Sequence, residues 1–195
     1  MEGSPRARQL ADFAAQLEAA RAHLRRLAGP LDDARWAARP GPGRWSVGEC
    51  VAHLNATSAH YLPRLAHRLE GLAPDGGQGP FRRDLVGRLF AWSMEPPVRL
   101  RFRAPRPFLP GAPPPREPAL ATFERLQDEL VALLAGADSL PLDRVRVSSP
   151  VSRRVRFSLL SAVAVLAAHQ RRHLWQAERA LADVAAADNP APPAT

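Results

Sequence analysis

SLLSAVAVLAAHQRRHLWQAERA, residues 158–180, decides the fold, because it reads as one long helix whose interior face changes from apolar to polar partway along. Steps of three and four from Ala162 reach Leu166, His169, His173, Gln176 and Ala180, so both histidines stand on the stripe that faces other helices. Two histidines four residues apart on one helix face can aim ring nitrogens at a single metal ion. Leaving a buried polar ring without a partner costs about 1–3 kcal/mol, and metal ligation is one remedy. Pairing with side chains of neighbouring helices is another, and the spacing alone does not choose between them. The helix is expected over residues 158–186.

Three further helical patterns surround it. Leu10, Phe13, Ala14, Leu17, Ala20, Leu24 and Leu27 give an amphipathic helix over residues 5–27, stopped by Gly29-Pro30. Ser46 and Glu49 form a capping-box signature that starts a second helix, carried by Val47, Val51, Leu54, Tyr61, Leu62, Leu65 and Leu69 to Gly71. Pro63 is expected to bend it, because proline lacks an amide proton and crowds the preceding turn. Leu120, Phe123, Leu126, Leu130, Leu133 and Leu134 mark a third helix over residues 118–134, ended by Gly136.

The connections are long. Residues 28–45 have room for at most a short helix. Residues 73–116 are expected to carry a short helix over 81–94 and then a dense proline series, 96–118, that cannot propagate regular structure. Val145, Val147, Val151 and Val155 alternate, but Pro150 breaks the run, so extended segments or a small hairpin are expected over 142–158. The fold class is therefore all-α: a four-helix bundle with long crossover connections and a short extra helix, one domain over residues 1–188, followed by a disordered proline-rich tail, 189–195.

Composition limits the function classes. The 195 residues suit a single core, and no apolar run reaches the length of a membrane span or resembles a signal peptide, so a cytoplasmic protein without membrane association is expected. Cys50 is the single cysteine, which excludes an intrachain disulfide. All 27 basic residues are arginine, giving a net charge of +8, yet they are dispersed among Asp and Glu without interleaved aromatics; solvated helix faces explain them better than nucleic-acid binding does.

A third ligand must come from another helix. The second helix offers a stripe of Ser46, Cys50, His53, Thr57, His60 and Arg64, small or polar beside an apolar stripe, the pattern of a helix lining a polar cavity. His53 is the first candidate and His60 the runner-up; His23 and His67 read as surface residues. Cys50 reads as an apolar filler in preference to a thiolate ligand.

The segment Gly43-Arg-Trp-Ser-Val-Gly-Glu-Cys-Val-Ala-His-Leu54 resembles the W-S-x-x-E-x-x-x-H-L signature of the DinB/YfiT-like family, and His169-Gln-Arg-Arg-His-Leu-Trp-Gln176 resembles its C-terminal H-x-x-x-H segment. The resemblance spans the bundle and leaves residues 96–118 unmatched. It implies a three-histidine divalent-metal centre on His53, His169 and His173, with Glu49, Thr57 and Gln176 as candidates to orient ligand rings or a bound water. Zinc is the expected metal, with nickel, iron and manganese also suited to three imidazoles. Characterised relatives include thiol-dependent isomerases and S-transferases, so the resemblance implies a metal-dependent enzyme acting on a small molecule with a low-molecular-weight thiol cosubstrate. A metal-dependent hydrolase ranks below it, because Glu49 is the one inward carboxylate in view; a non-catalytic, stress-associated metal-binding scaffold is the alternative. A homodimer through an outer helix face is expected by fold analogy.

Overall fold

The computed structural model describes residues 3–77, 79–100, 103–149 and 154–189. Residues 190–195, nearly all of the expected tail, lie outside them, as do Pro150 and Val151 of the expected hairpin. The chain folds into helices α1 (Pro5–Ala28), α2 (Asp33–Ala37), α3 (Val47–Leu69), α4 (Leu85–Met94), α5 (Arg116–Leu134) and α6 (Leu159–Asp188). Short 3-10 turns occupy Arg106–Phe108 and Ala137–Ser139. Strands β1 (Arg146–Ser148) and β2 (Arg156–Ser158) pair antiparallel, with Val147 opposite Phe157, and make the small hairpin expected there.

Local chemistry sets the helix ends. Ser4 accepts from the Ala7 amide with Pro5 in the first turn of α1, and arginines 25 and 26 sit at its C-terminal end, where cations suit the helix dipole. The capping box of Ser46 and Glu49 is complete. Gly136, at φ +73°, takes the left-handed conformation that stops α5. Helix α3 runs uninterrupted through Pro63: the carbonyl that proline leaves unbonded belongs to Ala59, on the exposed face, where water can serve it.

Helices α1, α3, α5 and α6 form the bundle. α3 packs against α5 and α6, and α1 against the same two, so the sequence neighbours α1 and α3 lie chiefly on a diagonal. That diagonal lengthens the first connection, while the one from α3 to α5 is long because these neighbours run parallel, with Asn55 near the start of α3 donating to the Ala119 carbonyl near the start of α5. α4 lies outside the bundle on α6, and Gly87 permits the approach: a Cβ there would come within 2.2 Å of Ser161 Cβ. Its outer face leaves Leu85, Leu89 and Trp92 exposed. No helix among the described residues is long and apolar enough to cross a membrane.

The core divides in two. Leu62, Leu65, Leu126, Leu130, Phe157 and the first turns of α6 fill one end. Leu24, Trp36, Val51, Leu54, Phe123 and Leu174 fill the other. At one level between them the interior is polar: Gln127 and Gln170 exchange amide hydrogen bonds at 2.9 Å, and Gln127 also donates to the Leu17 carbonyl. The histidines of α6 occupy the same stretch.

Asp84 ties α4, the hairpin and α6 together. Its carboxylate accepts from the amides of Gly87 and Ser158 and from the Ser161 hydroxyl, with Arg146 at 3.5 Å. Burial alone would raise its pKa, but the hydrogen bonds from Ser158 and Gly87 outweigh it and hold the group at about 2. Because the folded pKa lies below the unfolded one, this stabilisation is present above about pH 4 and lost as pH falls toward 2. Asp84→Ala should cost about 2 kcal/mol in urea unfolding at pH 7, the worth of a lost cap plus an unsatisfied buried amide; no loss would show that the three elements hold together without it.

Candidate metal centre

His53, His169 and His173 come together, from α3 and α6, with one ring nitrogen of each lying within 4.8 Å of the others. The Nε2 atoms of His53 and His169 are 3.1 Å apart, and the three ring centroids are 4.4–5.0 Å from one another. His53 and His173 are buried, and His169 keeps part of its surface toward a cavity. Helical geometry explains the convergence: His169 and His173 are one turn apart on one face of α6, and α3 packs against that face.

The tautomer of His53 is determined by its partner. Its Nδ1 stands 2.7 Å from the Phe108 carbonyl oxygen, which can only accept, so Nδ1 carries the proton and Nε2 presents a lone pair to the other two rings. Burial lowers the pKa of His53, opposed by the bond to Phe108. Burial lowers His169 further, to about 3, helped by the charges of His53 and Arg172, and lowers His173 well below its ordinary value. All three rings are therefore neutral at physiological pH, the state a metal requires.

The residues fit a metal. Two Nε2 atoms 3.1 Å apart are close to the spacing of neighbouring ligands around an ion with bonds of roughly 2.0–2.1 Å. His173 Nδ1 is buried with no hydrogen-bond partner among the described residues, a cost of about 1–3 kcal/mol if nothing else uses that ring. No Cys, Asp or Glu joins the three imidazoles among the described residues, so the donor set is all nitrogen and leaves positions open.

Of the other sequence candidates, Thr57 and Gln176 line the same cavity as the triad, and the rest stand apart from it. His60 sits edge-on to the Phe108 ring at 4.9 Å and does not reach the cluster. Cys50 is buried in the apolar end of the core; burial and the neighbouring Glu49 push its thiol up to about 12, so it is a filler, as expected. Glu49 does not orient a ligand ring: it caps α3 and pairs with Arg39. Thr57 also misses the rings, donating instead to the His53 backbone carbonyl at 2.8 Å. Gln176 favours the protonated form of His173 through its side chain, without closing a bond on Nδ1.

Sequence reasoning missed three contributors. The Phe108 carbonyl comes from the proline-rich crossover, and a backbone acceptor has no residue signature. Trp45, just before the Ser46 cap, stacks on His173 at 5.7 Å and approaches His53 at 5.0 Å. The cavity, of about 960 Å³, is walled partly by the same crossover, through Val98, Arg103, Pro105, Phe108 and Leu109.

A model of the DinB superfamily matches residues 16–177. Among solved structures, YfiT from Bacillus subtilis, described as a probable metal-dependent hydrolase with an unusual four-helix bundle topology, is similar with a TM-score of 0.57. The two share 17% sequence identity over 90% of this chain and 87% of that one. No curated protein sequence matches the chain.

The neutral triad sets a pH dependence. Each histidine has a folded pKa below its unfolded value near 6.5, so below that pH the unfolded chain binds protons that the folded chain excludes, and acid favours unfolding. The urea midpoint of the metal-free protein should fall from pH 7.5 to pH 5, and fall less in a His169→Gln, His173→Gln variant; a midpoint that is flat or rises would show that the rings are not held neutral.

Proposed function

Because the chain belongs to the DinB superfamily, we propose that His53, His169 and His173 hold one divalent metal ion and that the site serves a metal-dependent enzyme whose cosubstrate is a low-molecular-weight thiol. The observation that carries this reading is a three-nitrogen site opening onto a cavity of about 960 Å³. A structural zinc site is closed by four protein ligands, whereas three ligands with open positions characterise catalytic sites. The open cavity speaks for turnover and against a non-catalytic scaffold.

When bound, the metal would supply the positive charge that lowers a thiol's pKa and keeps it as thiolate near neutral pH. The chain's own residues do the rest. Phe108 holds the His53 ring with its Nε2 lone pair inward, and Trp45 stacks on His173 and stands tilted beside His53. Phe90, Met94, Val165 and Leu166 give the cavity an apolar wall suited to the body of a small electrophile.

Thiol chemistry ranks above hydrolysis because metal-assisted hydrolysis needs a base beside the attacking water, and no Asp or Glu lines the cavity among the described residues. Glu49 is engaged by Arg39 and by the α3 cap, which together outweigh burial and keep it ionised but turned away. The name given to YfiT favours hydrolysis, and that reading is the alternative outcome of the test.

The test is cobalt(II) substitution followed by titration with glutathione, mycothiol and bacillithiol. A thiolate-to-cobalt charge-transfer band with at least one of them, absent in His169→Ala, is expected. Visible cobalt transitions at the site with no such band from any thiol would reject thiol chemistry and direct the search to ester and amide substrates.

A further inference from the structure

Helix α4 is apolar on both faces. Gly87, Phe90, Ala91 and Met94 pack inward on α6 and β2. Leu85, Leu89 and Trp92 follow one another at steps of four and three, so they share the opposite face. They are 78%, 62% and 50% exposed. Among the described residues, every large apolar side chain left exposed lies on α4 or on the crossover that follows it, Val86 and Leu100 included. Single apolar residues are ordinary on a surface, whereas a cluster of them on one helix marks a place of contact.

The rim of this face is cationic. Residues 81–100 hold four arginines and two carboxylates. Arg82, Arg83, Arg88 and Arg99 are all exposed, and none pairs with a carboxylate among the described residues. Arg99 lies over the Trp92 ring, 5.3 Å from its centroid. Both carboxylates are engaged elsewhere: Asp84 accepts from Gly87, Ser158 and Ser161, and Glu95 accepts from Arg171. Positive charge around the leucines is therefore left without a counterion from the chain.

Charge selects the occupant. A second copy of this chain would set one cationic rim against another, in a molecule that already carries +8. The complement must be apolar at depth and anionic at its surface. It must also accept a ridge, since α4 stands outside the bundle on α6. A bilayer containing anionic phospholipids has these properties, with acyl chains beneath a plane of phosphates that yields to a helix lying on it. We propose that α4 docks on such a bilayer, with Leu85, Leu89 and Trp92 entering the headgroup boundary while Arg82, Arg83, Arg88 and Arg99 meet phosphates. A helix lying in the interface needs no apolar run of spanning length. Phe90 and Met94, on the inner face of α4, line the cavity, so docking holds that cavity roughly 10 Å, one helix diameter, from the lipid. The inference is independent of the chemistry proposed for the triad.

The test is sedimentation of the full chain with vesicles of phosphatidylcholine alone and of phosphatidylcholine mixed with phosphatidylglycerol. The mixed vesicles should be bound at least roughly tenfold more tightly, and a Leu85→Gln, Leu89→Gln variant should lose roughly tenfold on them. That variant should melt no lower than the wild type, because both side chains already face water. Mixed vesicles brominated on the acyl chains should quench the wild-type tryptophan emission, and Trp92→Phe should remove most of that quenching. Equal binding by the leucine variant would reduce the effect to general attraction of a cationic chain and overturn the proposal. Absence of binding to the mixed vesicles would overturn it too, as would quenching unchanged by Trp92→Phe. A lipid-free dimer in sedimentation equilibrium that the leucine variant breaks would assign the face to a second copy instead.

Discussion

Three imidazoles inside a helical bundle are the constraint to which the rest of the structure answers. Each neutral ring needs partners for its nitrogens, and the apolar core on either side supplies none. The bundle therefore gives up continuous packing at this level, where Gln127 and Gln170 satisfy each other and His53 reaches the Phe108 carbonyl. Burial keeps the rings neutral, so that a lone pair on each is left free of a second proton, the state a metal requires. A site of this kind is built at the cost of stability, and the two apolar ends of the core, with the Asp84 clasp, carry that cost.

The parallel packing of α3 and α5 has a functional result. With the start of each beside the start of the other, where Asn55 donates to the Ala119 carbonyl, the chain must return the length of the bundle between them; that crossover carries α4 and the proline-rich segment, and the bundle uses the segment as the outer wall of the cavity. Proline is well suited to such a wall, because it holds an extended backbone without needing internal hydrogen bonds, which leaves carbonyls such as that of Phe108 free to accept from a side chain. Gly87, by letting α4 lie close on α6, and Arg172, by gripping the carbonyls of Ser93 and Leu100, fix the wall relative to the histidines. The triad, its orienting carbonyl and the cavity thus come from segments distant in sequence that a single packing arrangement brings together.

Much of this was legible in the sequence. The periodicity of leucines and alanines gave the four long helices to within two residues at most ends, because caps and stops such as Ser46 and Gly136 act locally. His169 and His173 were legible for the same reason, since helical spacing decides which residues share a face; on α3 the same spacing offered both His53 and His60, and it was the resemblance of the W-S-x-x-E-x-x-x-H-L segment that implied His53. What stayed hidden depended on tertiary placement. The Phe108 carbonyl belongs to every residue alike, and the wall function of residues 96–118 follows from where the crossover lands. Thr57 lies on the expected face, yet its hydroxyl bonds the nearest backbone carbonyl, a local option that threonine in helices often takes.

The central claim is that three histidines make one metal site, and metal content per chain measures it most directly. Elemental analysis of the purified protein, beside His53→Ala, His169→Ala and a His60→Ala control, should find about one divalent ion per chain in the wild type and in the control, and a loss of most of it in the two triad variants. A wild type that remains metal-free after reconstitution, or triad variants that keep their metal, would contradict the account.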